Sequence, residues 1–202
     1  MFPYPNPYQQ VLDIMCTALA PFDDDNLIPA YGFGDDRTTD KTVFSFCSNG
    51  AAESPCVKLE GVLTAYNSII QQIHAETIKM SGPTTFAPLI YKAIEIVKQE
   101  MQYHILLIIC DGGVSESQKD IDAIVEASEY PLSIICVGVG QGPWDDMEHF
   151  DDSITHRKFD NFQFVNYHEK IVTKCENPHV EFARQALMEI PVQYRYIKKY
   201  LL

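Results

Sequence analysis

Two nearly continuous apolar runs constrain this chain most. HILLIIC (His104–Cys110) and LSIICVGV (Leu132–Val139) lack the polar alternation of a half-exposed strand. Strands read this way when both their faces are covered, as in a parallel sheet. Gln118–Ser128, between them, has helical patterning, so the stretch reads as strand, helix, strand. A further strand is expected at Phe162–Asn166, preceded by a short helix at Trp144–Phe150. Glu169–Leu187 reads as largely helical and limited by Pro191.

Upstream, Tyr8–Phe22 has apolar residues at helical spacing, with Asn6 as a cap and Pro7 suited to its first turn. Leu27–Phe33 and Thr42–Phe46 read as strands, and Cys47–Pro55 as a small-residue loop. Leu59–Ala75 and Phe86–Gln99 each carry one apolar stripe and are expected to be helices. This order predicts an α/β fold: a doubly wound, mostly parallel sheet flanked by helices. No linker or repeat divides the chain, so one domain over residues 1–202 is expected.

A net charge of −13 opposes binding to nucleic acid or to an anionic membrane face. The six cysteines form no C-x-x-C pair and read neither as a disulfide framework nor as a zinc site. The proline-rich start MFPYPNPYQQ is no signal peptide, and no apolar run is long enough to span a membrane. The expected setting is intracellular, in the cytoplasm or nucleus. Gly138-Val-Gly140-Gln-Gly142 lacks the G-x-G-x-x-G spacing of a dinucleotide loop, and no small-molecule substrate is expected. The six histidines are scattered without metal-ligand spacing, and Asp145-Asp146 and Asp151-Asp152 read as a solvated acidic face.

The chemistry concentrates in two loops. Asp111 follows HILLIIC and precedes Gly112-Gly113, which places a carboxylate at the carboxyl end of a strand, where ligands of such sheets gather. The SGPTT loop (Ser81–Thr85) is expected at the same edge and offers the Thr84 and Thr85 hydroxyls; Thr85 also suits a cap of the helix that follows. A carboxylate and a hydroxyl are ligand types that a hard cation such as Mg²⁺ accepts.

Much of the chain resembles the von Willebrand factor A-type domain of copines, and the copine-like domain of plant RING-type ubiquitin ligases. The stretches are PNPYQQ (Pro5–Gln10), FDDDNLIPAYGFGD (Phe22–Asp35), SGPTTFAP (Ser81–Pro88), YHILLIICDG (Tyr103–Gly112), PLSIICVGVGQGPWDDMEHFDD (Pro131–Asp152), FDNFQFVN (Phe159–Asn166) and ALMEIPVQY (Ala186–Tyr194). The resemblance implies a von Willebrand factor A-like, Rossmann-type fold and a metal-ion-dependent adhesion site, with Thr84 and Asp111 as ligands of Mg²⁺ or Mn²⁺. It also implies a first strand carrying Asp-x-Ser/Thr-x-Ser, which this sequence lacks; the site is expected to be partial and the domain amino-terminally truncated. The implied function is a non-enzymatic interaction module with a protein partner. The alternative is a ubiquitination-related role through a partner. A zinc-binding RING needs more cysteines than the single Cys175 in the last quarter, so intrinsic ligase activity is not expected. The calcium-dependent lipid-binding modules of copines have no counterpart here, so direct membrane binding is not expected either.

Overall fold

The computed structural model describes residues 5–49, 52–81, 84–115, 117–171 and 176–202. Gly82 and Pro83 of the SGPTT loop, and Cys175, lie outside them. The described chain groups into two compact units, Met1–Thr84 and Thr85–Leu202.

The first unit opens with helix α1 (Pro7–Leu19), continued by a 3₁₀ turn at Ala20–Phe22. The expected cap is present and reciprocal. Asn6 Oδ1 accepts from the Gln9 N–H at 3.0 Å, and Gln9 Oε1 accepts from the Asn6 N–H at 2.8 Å. The long strand expected over Leu27–Phe33 is instead two short ones, β1 (Leu27–Ile28) and β2 (Tyr31–Gly32). Pro29, which has no N–H to give a ladder, lies between them. The second expected strand shortens to β3 (Phe44–Ser45), antiparallel to β2 with Gly32 opposite Phe44. A Cβ on Gly32 would lie 2.2 Å from the Phe44 ring, so glycine makes room for that aromatic.

The loop expected at Cys47–Pro55 contains a small hairpin, β4 (Ser48–Asn49) with β5 (Ala52–Glu53). Next comes β6 (Cys56–Val57), antiparallel to β1, and then α2 (Lys58–His74), which packs on α1. Cys56, Val62 and Ala65 form a buried cluster, with Leu12, Ile28 and Phe46 packed against it.

The second unit is the predicted α/β body. A three-stranded parallel sheet runs in the order β7 (His104–Cys110), β8 (Leu132–Gly138), β9 (Phe162–Asn166). Its helices are α3 (Ala87–Glu100), α4 (Ser117–Ala127), α5 (Asp145–Asp152), α6 (Tyr167–Ile171), α7 (Pro178–Leu187) and α8 (Ile190–Tyr200). Helix α3 packs on β7, β8 and α4, α5 on β9, and α7 on β8 and β9. Every residue of β8 is buried, as its apolar run requires. β7 is only half-buried along most of its length, because among the described residues it pairs with β8 alone. Pro191 does not limit a helix but sits in the first turn of α8, where a missing N–H costs nothing. None of the described helices is long and apolar enough to cross a membrane.

Register defines the functional edge. Cys110 pairs with Gly138, and Gly138 with Asn166, so all three strands end level. The turns that leave them therefore emerge side by side.

Candidate functional site at the carboxyl edge of the sheet

Asp111 leaves β7 at this edge and is exposed. The neighbouring turn holds its backbone. Val139 donates its N–H to Cys110 O at 2.8 Å, and a Cβ on Gly140 would lie 2.0 Å from Asp111 O. Only glycine permits that approach. A side chain at Gly113 would likewise press on Pro143 O, at 3.3 Å. Ser117 at the start of α4 donates to Asp146 Oδ1 at 3.1 Å, tying the helix after β7 to the helix after β8.

Beside the Asp111 turn lies an open cavity of about 400 Å³, lined by Gly140, Gln141, Trp144, Asn166 and His168. Its wall is the indole of Trp144, which is seated by its neighbours. A Cβ on Gly138 would lie 2.7 Å from the ring and one on Gly142 3.1 Å from its Nε1, and the Phe164 ring sits 5.4 Å away. Asn166 Oδ1 accepts from the Glu169 N–H at 3.3 Å, which fixes the amide at the mouth of α6. Apart from the indole, the lining of the cavity is polar or glycine, so it is a solvent-open recess that offers one aromatic face and the side chains of Gln141, Asn166 and His168.

Thr84, expected to act with Asp111, is half-buried and closes the first unit, whereas Asp111 belongs to the second. Its neighbour Thr85 is buried and, as expected, caps α3: its Oγ1 accepts from the Ala87 N–H at 3.2 Å. Most of that cap comes from a residue the sequence reading missed. Asp120, fully buried on α4, accepts through Oδ1 from the Thr85 hydroxyl (2.6 Å) and the N–H groups of Phe86 (2.7 Å) and Ala87 (2.8 Å). Its Oδ2 is buried without a hydrogen-bond partner. Among the described residues, no group of three or more His, Cys, Asp or Glu side chains could hold a metal ion. A lone carboxylate does not fill the octahedral shell that Mg²⁺ demands.

The acidic face after β8 is only partly solvated. Asp145 and Asp152 are exposed, but Asp151 Oδ2 accepts from the Phe164 N–H at 3.0 Å and from Gln163 Nε2 at 3.3 Å. Arg157 is folded in beside it, donating to the carbonyls of Phe150, Asp151 and Ile154 and pairing with Asp160 at 2.8 Å. Burial, only partly offset by the Phe164 N–H, raises the Asp151 carboxyl to about 6. Burial and the nearby Asp160 and Asp151 raise Glu189 to about 7. Burial raises Asp120 to about 6 against the pull of its three donors.

These three shifts share a sign. The folded chain keeps protons that the unfolded chain has released between about pH 4 and pH 7. Stability therefore falls as pH rises through that window and levels off above it. Urea unfolding at about pH 5.5 is expected to show a higher midpoint than at about pH 8. A midpoint that climbs with pH would contradict this.

Sequence comparison identifies the family. The copine family profile matches residues 3–201. The E3 ubiquitin-protein ligase RGLG5 of Arabidopsis thaliana is 51% identical over 207 residues, covering 95% of this chain and 46% of that protein. Copine family protein 2 of Caenorhabditis elegans is 50% identical over 194 residues, covering 96% of this chain and 2% of that protein. The chain thus spans less than half the length of these curated relatives. Among solved structures, the crystal structure of manganese-loaded Plasmodium vivax TRAP protein superposes with a TM-score of 0.49 and 10% identity, over 80% of this chain and 61% of that one. So loose an overlap carries no argument about the site. The profile match and the half-identity along nearly the whole sequence do: the chain belongs to the copine family.

Proposed function

We propose that this chain is a non-enzymatic protein-interaction module, and that it engages its partner through the carboxyl edge of β7, β8 and β9. The observation that carries this reading is the cavity beside Asp111, walled by an indole that Gly138 and Gly142 hold in place. A preorganised aromatic wall with amide groups around it binds without losing much side-chain freedom, which suits recognition. The copine match runs across both compact units, so we treat residues 1–202 as one functional domain.

Asp111 offers a carboxylate to Mg²⁺ or Mn²⁺ at the same edge. With a single carboxylate the ion keeps most of its water, and its affinity is weak. Thermal unfolding with and without millimolar Mn²⁺ tests this, because a ligand of the folded state raises the midpoint by mass action. A rise of about 1–2 °C is expected for the native chain and none for Asp111→Ala. Equal behaviour of the two proteins would remove the ion from the account.

A second reading is a ubiquitination-related role, favoured by relatives named E3 ubiquitin-protein ligase at 50–51% identity. We assign such a role to a partner rather than to this chain. Purified chain incubated with activating enzyme, conjugating enzymes, ubiquitin and ATP is expected to build no ubiquitin chains. Robust chain formation would overturn the non-enzymatic assignment.

A further inference from the structure

The sulfurs of Cys47 and Cys56 lie 2.8 Å apart. Cys110 and Cys136, on adjacent strands of the parallel sheet, are 3.9 Å apart. A disulfide needs about 2.05 Å, so the first pair is much nearer to bonding. Both cysteines are free thiols.

The local fold brings them together. Cys47 immediately precedes β4, and Cys56 opens β6. The β4–β5 hairpin between them folds the chain back, with Ser48 opposite Glu53 and the Ser54 N–H donating to Cys47 O at 3.0 Å. Cys56 is held from its other side by pairing with Ile28. The two thiols also differ. Cys47 is half-buried, whereas Cys56 is 2% exposed and packs with Val62 and Ala65. Burial, and then the hydrogen bond with Cys47, push the Cys56 thiol up to about 12.

We propose that Cys47 and Cys56 form a redox-closable dithiol, a modification site that clasps the hairpin onto the α1–α2 cluster when oxidised by a low-molecular-weight disulfide. The more accessible Cys47 reacts first. Its thiolate attacks one sulfur of the oxidant, here oxidised glutathione, and forms a mixed disulfide. The first glutathione leaves as a thiolate and takes up the proton that Cys47 lost. Cys56, already in contact, then loses its proton and attacks Cys47 Sγ. The second glutathione leaves and takes up that proton. Two protein thiols are oxidised to one disulfide, and one oxidised glutathione is reduced to two thiols. The high proton affinity of Cys56 disfavours it as the first nucleophile and does not prevent attack on a sulfur already in contact.

Closing so short a loop removes freedom chiefly from the unfolded chain. The same factor by which the disulfide stabilises the fold is the factor by which the fold favours the disulfide.

The test uses the full chain, equilibrated in graded glutathione redox buffers, quenched with acid and then unfolded and alkylated with N-ethylmaleimide. Cleavage at Lys41 and Lys58 releases one peptide, TVFSFCSNGAAESPCVK, which holds both cysteines and no others. In oxidising buffer this peptide is expected without maleimide and about 2 Da lighter than its dithiol form, while the Cys110 and Cys136 peptides carry maleimide. The closing equilibrium constant is expected to be at least about tenfold larger in the folded chain than in guanidinium. The oxidised chain is expected to melt about 5–10 °C higher than the reduced one, and Cys47→Ser to show no such shift. A peptide that still carries two maleimides in the most oxidising buffer would overturn the proposal. So would equal closure in folded and unfolded chain, or closure without a rise in the midpoint.

Discussion

Asp120→Ala is expected to cost about 3 kcal/mol of unfolding free energy, read from urea denaturation. Its single oxygen Oδ1 serves the Thr85 hydroxyl and the first two N–H groups at the start of α3. Alanine leaves all three donors without that acceptor inside a fully buried site, and no side chain of Phe86, at the N-cap position, replaces it. Asp120→Asn separates the acceptor from the charge. Its side-chain oxygen can still accept, so the loss is expected to be smaller, although its NH₂ meets the partnerless Oδ2 position. Asparagine does not titrate, so this variant is also expected to flatten the part of the decline that falls between about pH 4 and pH 6. If Asp120→Ala lost less than about 1 kcal/mol, the cap would not be what holds α3 to α4.

Gly140→Ala is expected to cost about 2–3 kcal/mol and to shift the fluorescence of Trp144, the sole tryptophan. The added methyl would lie 2.0 Å from Asp111 O and 2.8 Å from its carbonyl carbon. Both are backbone atoms, and the Val139 N–H bond to Cys110 O anchors both chains one residue earlier. Relief therefore requires moving the Asp111 turn, the Trp144 turn or both. Gly112→Ala is the matched control, since its Cβ would meet nothing within 4 Å. It is expected to change stability by about 0.5 kcal/mol or less. Equal effects of the two substitutions would mean that the turns are not packed as described.

Much of this fold was legible in the sequence, and the reasons are specific. The runs at His104–Cys110 and Phe162–Asn166 coincide with β7 and β9, and the run at Leu132–Val139 marks β8, the strand whose every residue is buried and where apolar side chains are therefore required. The Asn6 cap was legible because its partner, Gln9, is local. Asp120 was not. On α4 it reads as one more polar residue, and its task is set by Thr85 and Phe86 more than thirty positions away. Asp151 was misread for the same reason, since its donor is the backbone of β9. Two-residue strands such as β4 and β5 are too short to show alternation, so the hairpin that joins Cys47 to Cys56 left no pattern. Pro191 was taken as a stop because proline both ends helices and starts them, and only the chain beyond it decides.

At the candidate edge, the position of Asp111, exposed just after β7, was legible from the apolar run that precedes it. That Trp144 packs locally follows from its place in a strand-to-helix turn, but its seat against Gly138 and Gly142 was not legible. Glycines at a strand end read as a turn, and which ring they admit depends on the third dimension.

The most direct test of the central claim is a set of affinities for one partner. Proteins retained by the native chain are identified, and one is purified and titrated against the native chain, Trp144→Ala, Asn166→Ala and Met101→Gly. Met101 is 75% exposed just before β7, at the opposite end of the strand, and its φ of 54° is one that glycine adopts freely. With all four proteins melting cooperatively, the two edge variants are expected to bind at least about tenfold more weakly, with Met101→Gly unchanged. Undiminished binding by both edge variants would contradict the assignment of the carboxyl edge as the recognition surface.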